Sequence, residues 1–151
     1  MSNETTPIRG MEQGRAAFAF ERAKNAVANT GLADEYKSYA KSLPMMIKNS
    51  GLGATLAFIR SKSTNKEGKI TAYGQLYNDI QAWFKEPHKA YLVNLSDKEL
   101  VQAVIDMDSD AYRTLTVEAL AYLQWLRRFA EALAPKNTKN DSIHKDICVF
   151  Y

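Results

Sequence analysis

Hydrophobic residues recur three and four positions apart through most of the chain, which is the spacing of an amphipathic α-helix. The strongest stripe runs along 109–134 and includes Leu115, Tyr122, Leu126 and Phe129. Weaker stripes predict further helices, which extend over about 11–28, 34–43, 51–62 and 71–85 and from 96 onward. An alternation that a strand could use is found only at 146–151. The pattern therefore predicts an all-α fold, a single-domain bundle of about six helices.

Proline and capping residues mark where these helices are expected to end and begin. Pro44 cannot donate a backbone hydrogen bond, so we expect a break or kink there, followed by a short helix. Ser96 and Glu99 have the spacing of a capping box and predict a helix start at Ser96. Asp108 or Ser109 is expected to cap the last helix. We therefore expect a flexible N-terminus, a helical domain and a C-terminal tail, at 1–10, 11–134 and 135–151.

The stretch KNSGLGAT at 48–55 places two glycines beside a lysine and raises the question of a phosphate-binding loop. A dinucleotide-binding loop begun at Gly51 would need glycine where the chain has Leu56, and a triphosphate loop would need a Gly-Lys pair. Both kinds of loop follow a strand, and no strand of sufficient length precedes these glycines. We interpret Asn49 to Gly51 as the end of one helix and the start of the next.

Charge is distributed unevenly along the chain, whose formal net charge is +3. Between Tyr36 and Lys69, seven lysines and arginines face a single acid, Glu67, so this segment is suited to binding phosphates. A lysine-rich solvated face is the alternative explanation of such a run. The region from Glu86 to Asp110 has six acids against two lysines and could form the complementary face in a contact between copies.

The remaining composition argues against several classes of protein. The longest run without a charge, 49–59, has eleven residues, whereas a membrane helix needs about 20 apolar residues. Cys148 is the single cysteine, so an internal disulfide and a cysteine-built zinc site are excluded. The polar N-terminus lacks the apolar core of a secretory signal, and we therefore expect a cytoplasmic protein.

No catalytic or metal-binding motif is complete. The stretch DMDSDAYRTLTVE from Asp106 resembles a calcium loop, but Ala111 stands where glycine makes the turn and Val117 where the chelating glutamate belongs. Only His88 and His144 are of a residue type that can serve as acid or base at neutral pH, and a metal-independent ribonuclease that uses both stays an open alternative. We predict no enzymatic activity, no cofactor, no metal site and no small-molecule substrate.

Arginines lie beside aromatic residues on two of the predicted helices. Arg15, Phe18 and Arg22 share one side of the first helix, which is either an interaction face or a set that packs on a neighbouring helix. Arg128 lies beside Trp125 on the last helix and either borders solvent or anchors a neighbouring subunit or a phosphate.

Two longer motifs resemble a known family. The stretches are YKSYAKSLPMMIKNSGLGATLAFIRSK at 36–62 and AYRTLTVEALAYLQWLRRFAEAL at 111–133. Together they closely resemble the small subunit of the Cmr complex, the type III-B CRISPR RNA-guided effector, and the resemblance extends over about 11–133. It implies a small α-helical protein without catalytic activity, of which several copies stack head to tail beside the subunits that hold the guide RNA. The implied partners are other Cmr subunits, further copies of the chain, and the guide and target RNA.

By motif position, the resemblance implies contacts with the RNA backbone by two groups of side chains. The first group comprises Lys41, Lys48, Asn49, Arg60 and Lys62, and the second comprises Arg15, Arg22 and Arg128. Lysine and arginine on a helical surface suit this role because base pairing already reads the sequence, and because displaced counterions favour phosphate binding. The alternative interpretation is a helical adaptor that binds only other proteins and does not contact RNA.

Overall fold

The computed structural model describes residues 7–89 and 92–135. Six α-helices occupy most of this range: α1 Pro7–Ala28, α2 Ala33–Ser50, α3 Leu52–Ser61, α4 Ala72–Lys85, α5 Leu100–Ile105 and α6 Ser109–Leu133. A 3₁₀ turn, Pro87–Lys89, follows α4, and the described residues form no strand beyond one isolated bridge between Thr64 and Ile70. The predicted all-α bundle of six helices is confirmed, and α1 begins at Pro7 rather than near Met11.

The longest helix, α6, is the element on which the bundle is assembled, since it packs against both α1 and α2. Its buried stripe follows the periodicity of the sequence and consists of Leu115, Glu118, Ala119, Tyr122, Leu123, Leu126 and Ala130. On α1 the buried residues are small, among them Ala19, Ala23 and Val27, and small side chains allow two helices to approach closely. α4 packs against α2 and α3. The hydrophobic core therefore lies between α1, α2, α4 and α6.

Two buried aromatic rings, Trp83 and Tyr122, meet in the core, and the partly buried ring of Phe18 packs against both of them. The Trp83 ring of α4 stacks on the Tyr122 ring of α6 with centroids 5.3 Å apart and planes inclined by 8°. The Phe18 ring of α1 lies 5.1 Å from Trp83 and 6.0 Å from Tyr122. Of the two interpretations of Phe18, packing on neighbouring helices is confirmed. Burial of such rings supplies much of the driving force for helix assembly.

Gly51 alone joins α2 to α3. Its backbone N–H donates to the Ile47 carbonyl at 2.8 Å and closes α2, while its own carbonyl accepts from the Thr55 N–H and hydroxyl and begins α3. The φ of Gly51 is 91° and its ψ is 159°, a conformation that residues with a Cβ rarely adopt. The predicted helix end and restart at Asn49 to Gly51 is therefore confirmed.

Two predicted helix boundaries are wrong. α2 runs without a break through Pro44, which is buried on the packed side of the helix, so the packing of the helix outweighs the loss of one backbone hydrogen bond. α5 begins at Leu100 and not at Ser96, which has a positive φ of 44°. The first two amides of α5 are capped from α4, by Gln81 Oε1 at 2.9 Å and by the Tyr77 hydroxyl at 3.2 Å.

The start of α6 agrees with the sequence, because the Asp108 carboxylate accepts from the Ala111 N–H at 2.8 Å and forms the N-terminal cap. The C-terminal tail beyond Pro135 and the strand considered at 146–151 lie outside the described residues. The proposed division of the chain at residues 10 and 135 therefore stays a prediction.

We expect Gly51→Ala to lower the free energy of unfolding by about 2 kcal/mol, because alanine is strained at this φ and ψ. The added Cβ would also lie 3.1 Å from the Tyr112 hydroxyl. Urea denaturation followed by circular dichroism measures the change. The matched control is Gly14→Ala in α1, where nothing lies within 4 Å of the added Cβ and alanine favours the helix. Equal effects of the two substitutions would contradict the assignment of strain to Gly51.

Candidate nucleic-acid interface

Cationic side chains from α2 and α6 line a groove of about 330 Å³ between these helices. The groove is lined by Lys37 and Lys41 from α2 and by Arg127 from α6. Its other lining residues are Asp34, Ser38 and Glu131. With three cations against two carboxylates, the groove has a net positive charge and attracts phosphate. The two acids beside the cations weaken this attraction.

Lys48 extends the line of cations along α2. Lys37, Lys41 and Lys48 are separated by four and seven residues, so they follow one another on the same side of the helix over about 16 Å. Lys41 and Lys48 are exposed, as is Asn49 in the last turn of α2. A lysine in that turn is also favoured by the negative end of the helix dipole.

A second groove, of about 420 Å³, lies near the start of α6. It is lined by Met107, Ser109, Tyr112, Arg113, Thr116 and Val117. Arg113 and Arg127 are fourteen residues apart, which is nearly four helical turns, so both lie on the same side of α6. The five cations Lys37, Lys41, Lys48, Arg113 and Arg127 are called the α2–α6 face below.

The two helices run in opposite directions along this face. Gly51 at the end of α2 lies beside Tyr112 near the start of α6, whereas Lys41 lies beside Arg127 near the end of α6. Sequence reasoning placed Lys37 in the basic segment 36–69 and selected Lys41 and Lys48 as RNA contacts, but it did not select Lys37, Arg113 or Arg127. Their helical spacing was the available signal, although the sequence does not show which helices adjoin.

Arg60 and Lys62 lie on a separate surface, at the far end of α3. The Arg60 guanidinium donates to the Glu99 carboxylate from Nε at 3.1 Å and from Nη2 at 3.0 Å. The hydrogen bonds and the negative charge of Glu99 raise the pKa of Arg60. The Lys62 Nζ lies 5.6 Å from the centroid of the Phe58 ring. The structure therefore divides the first group of predicted RNA-binding residues between two surfaces.

Arg15 and Arg22 bind carboxylates inside the bundle. Arg15 Nη2 lies 2.8 Å from Glu118 Oε2, and Arg22 Nε lies 2.7 Å from Asp79 Oδ1. Asp79 is fully buried and Glu118 nearly so. The amphipathic pattern of α1 did not show this, because arginines that bind buried acids have the same spacing as arginines that face solvent. Of the second group, only Arg128 is exposed, on the C-terminal half of α6.

The Glu118 carboxylate is surrounded by donors. It accepts from Arg15, from Lys89 Nζ at 3.1 Å and from Trp83 Nε1 at 3.2 Å. Lys89 is itself buried and lies 4.8 Å from the centroid of the Trp83 ring. Burial alone would raise the pKa of Glu118, but the hydrogen bonds and charges of Arg15 and Lys89 outweigh it and lower this pKa.

Asp79 is the second buried acid and is held by uncharged as well as charged donors. It accepts from the Tyr36 hydroxyl at 2.5 Å, from Gln75 Nε2 at 3.0 Å and from Arg22. Burial raises the pKa of Asp79, although these hydrogen bonds oppose it. Every buried side-chain nitrogen and oxygen in the described part of the chain has a hydrogen-bond partner. The polar groups of the interior are therefore satisfied by one another.

In residues 7–89 and 92–135, no group of three or more histidine, cysteine, aspartate or glutamate side chains is placed to hold a metal ion. Among the same residues, no helix combines the length and the apolar character that crossing a membrane requires. The cationic surfaces described above instead present lysine and arginine side chains, with hydroxyl and aromatic groups beside them.

Comparisons with known proteins agree with one another. A protein-family model described as CRISPR-associated protein (Cas_Cmr5) matches residues 11–133. The CRISPR system Cmr subunit Cmr5 of Thermus thermophilus is 32% identical over 127 residues, which cover 83% of this chain and 97% of that protein. The crystal structure of a CRISPR-associated Cmr5 family protein from Thermus thermophilus has a TM-score of 0.64 and 29% identity, over 82% of this chain and 97% of that chain. The matched residues include α2 to α6 and most of α1.

We expect Glu118→Gln to lower the free energy of unfolding at pH 7 by about 3 kcal/mol, because it leaves the buried Lys89 without its counter-charge. Because the pKa of Glu118 is lower in the folded state, its ionised carboxylate stabilises the wild-type fold fully above the usual value of 4.5. This stabilisation is lost as the pH falls through the folded-state pKa. The difference between variant and wild type should therefore shrink below about pH 4.5.

Denaturant unfolding at a series of pH values measures this difference. The matched control is Glu21→Gln, at an exposed position of α1, where a change within about 0.5 kcal/mol is expected at every pH. A Glu118→Gln deficit that stays constant down to pH 3 would contradict the assigned pKa direction.

Proposed function

The chain belongs to the Cas_Cmr5 family of CRISPR-associated proteins, and from this membership we propose that it is a non-catalytic subunit of a type III-B CRISPR (Cmr) effector complex. In this proposal it contacts the backbone of guide or target RNA without reading its sequence. Several copies stack along the complex beside the other Cmr subunits, which are its protein partners.

The alignment of five cations on the α2–α6 face is the observation that supports the RNA contact. Lysine and arginine in a line along two antiparallel helices follow a nucleic-acid backbone over more than one phosphate. Side chains on rigid helices hold the charges in place, whereas a phosphate loop would use backbone amides. Asp34 and Glu131 within the groove keep its net charge low, which favours weak contacts that other subunits can reinforce.

The proposal also includes Asn49 and Arg128, which adjoin cations of the α2–α6 face, and Arg60 and Lys62, which lie on the separate surface at the end of α3. Asn49 adjoins Lys48 and offers an amide donor to a phosphate. Arg128 follows Arg127 on α6 and is exposed. Arg60 can bind a phosphate only if its ion pair with Glu99 breaks. Both side chains are about half exposed, so breaking this pair costs little free energy. We leave Arg15 and Arg22 out of the proposed contacts because both bind buried carboxylates.

Stacking of copies requires two different surfaces that fit each other, since a contact between unlike surfaces propagates. The acidic turn at 106–110 lies where α6 begins, and the cationic groove with Lys41 lies toward its other end, about 27 Å away along the helix. The acids of the turn in one copy could therefore meet the groove of the next copy in a head-to-tail contact. Lys98 already pairs with Asp106 at 3.8 Å, but both side chains are more than half exposed.

We expect Lys41→Glu/Lys48→Glu to weaken retention on single-stranded RNA and to reduce the slope of log affinity against log salt by about 0.7 per lost contact. Filter binding of the full chain at several salt concentrations measures both quantities. The matched control is Lys24→Glu/Lys85→Glu, which changes the net charge equally at exposed positions of α1 and α4.

Equal weakening by the two double variants would show that overall charge, and not the α2–α6 face, binds RNA. Failure of the wild-type chain to bind RNA at low salt would favour the alternative, a helical adaptor that contacts only proteins.

We expect Lys41→Glu and Asp106→Lys each to weaken self-association at least about tenfold, because like charges then face each other across the contact. An equimolar mixture of the two variants should restore assembly, since every contact in an alternating stack again joins opposite charges. Sedimentation velocity measures the assembly. Asp108 is left unchanged because it caps α6. A mixture that assembles no better than either variant alone would contradict this stacking contact.

A further inference from the structure

Three aromatic rings form a ladder at the surface where α2, α3 and α4 meet. The Tyr39 and Tyr73 rings are parallel, inclined by 2° with centroids 3.8 Å apart. The Phe58 ring stands edge-to-face against Tyr73, with centroids 5.3 Å apart and planes at 80°. These three residues are called the aromatic ladder below. None of them belongs to the fully buried core, which distinguishes them from Trp83 and Tyr122.

Phe58 is the most exposed ring of the ladder, with 36% of its surface accessible. The Lys62 ammonium lies near this ring, and the loop that follows α3 adds the exposed Lys66 and Lys69. The loop has one acid, Glu67, which pairs with Lys69 at 3.8 Å. Lys62 therefore places one cation directly beside the exposed Phe58 ring.

The rings are held in place by the backbone around them. The Thr71 hydroxyl caps α4 by accepting from the Gly74 N–H at 3.2 Å, which fixes Tyr73 in the first turn of the helix. Gly74 packs so closely on the carbonyl of Ser63 that no Cβ would fit between them. The loop after α3 thus packs closely on the start of α4. Because Phe58 precedes this loop and Tyr73 follows it, the contact holds the two rings in their relative orientation. Such preorganisation reduces the entropy lost on binding.

We propose that the Phe58 ring, supported by Tyr73 and Tyr39 and flanked by Lys62, stacks against an unpaired base of single-stranded RNA. Aromatic rings beside cations are the combination that binds single strands without sequence preference, since every base has a π-face and every nucleotide a phosphate. The proposal rests on the proposed RNA contact and adds a contact to the base.

The aromatic ladder and the α2–α6 face lie on different sides of α2. Tyr39 and Lys41 are two residues apart, so their side chains point about 200° from each other around the helix axis. In this proposal the ladder is an RNA contact in addition to the α2–α6 face. It differs from a purely electrostatic surface because the Phe58 ring lies beside the Lys62 ammonium.

The test compares full-length Phe58→Leu and Phe58→Tyr on a single-stranded oligoribonucleotide and on its abasic counterpart, which has the same phosphates and no bases. We expect Phe58→Leu to lower the affinity for the oligoribonucleotide about tenfold, with the salt dependence unchanged, and Phe58→Tyr to bind like wild type. Wild type and Phe58→Leu should bind the abasic strand equally. Ile105→Ala, which truncates an exposed aliphatic side chain elsewhere, is the control and should change neither affinity.

Unchanged binding of the oligoribonucleotide by Phe58→Leu would overturn the proposal. An equal loss on the abasic strand would overturn it too, since the ring would then act through phosphate contacts or through folding, which the unfolding midpoint checks. If Phe58→Leu binds RNA normally but no longer enters a reconstituted Cmr complex, the ladder is a protein contact. Absence of RNA binding by wild type would instead refute the proposed function and, with it, the base contact.

Discussion

The fully buried carboxylate of Asp79 must be hydrogen-bonded wherever the chain places it, because an isolated charge in an apolar interior is very unfavourable. Its partners come from separate helices: Tyr36 of α2 and Arg22 of α1 donate to the carboxylate. Tyr122 of α6 donates to the Asp79 carbonyl at 3.2 Å. One residue of α4 thus specifies how α1, α2 and α6 are placed around it. Glu118 of α6 repeats the arrangement with Arg15 and Lys89.

These two acids also decide which cations remain at the surface. Arg15, Arg22 and Lys89 are used inside the bundle, where each of them binds a buried carboxylate. The cations of the α2–α6 face and of the end of α3 are left to the exterior. The proposed contact with RNA of any sequence requires such cationic surfaces more than it requires pockets. Asp79 and Glu118 therefore also affect the surface charge, because the cations that they bind are not part of the cationic surfaces.

Much of the fold was predictable because hydrophobic periodicity records which side of each helix is buried. The stripe of α6 and the joint at Gly51 both follow from local rules of helix geometry and termination. The continuity of α2 through Pro44 and the start of α5 at Leu100 were not predictable, since both depend on contacts from other helices. The candidate site was predictable only in part. Lys41 and Lys48 lie on one surface with Arg127, whereas Arg15 shows that an arginine can occupy a helical stripe and still serve the interior.

The joint at Gly51 fixes how the two cationic surfaces are placed relative to each other. α2 and α3 share this one residue as their cap, with no loop between them to absorb a change in angle. Between Lys48 of α2 and Phe58 of α3, Gly51 is the single non-helical residue, so the turn of the chain at Gly51 sets how these two side chains are placed relative to each other. If RNA binds both surfaces as proposed, this joint sets the distance along the strand between its backbone contact and its base contact. An inserted residue at this position would rotate the α2–α6 face against the aromatic ladder and change the spacing between them.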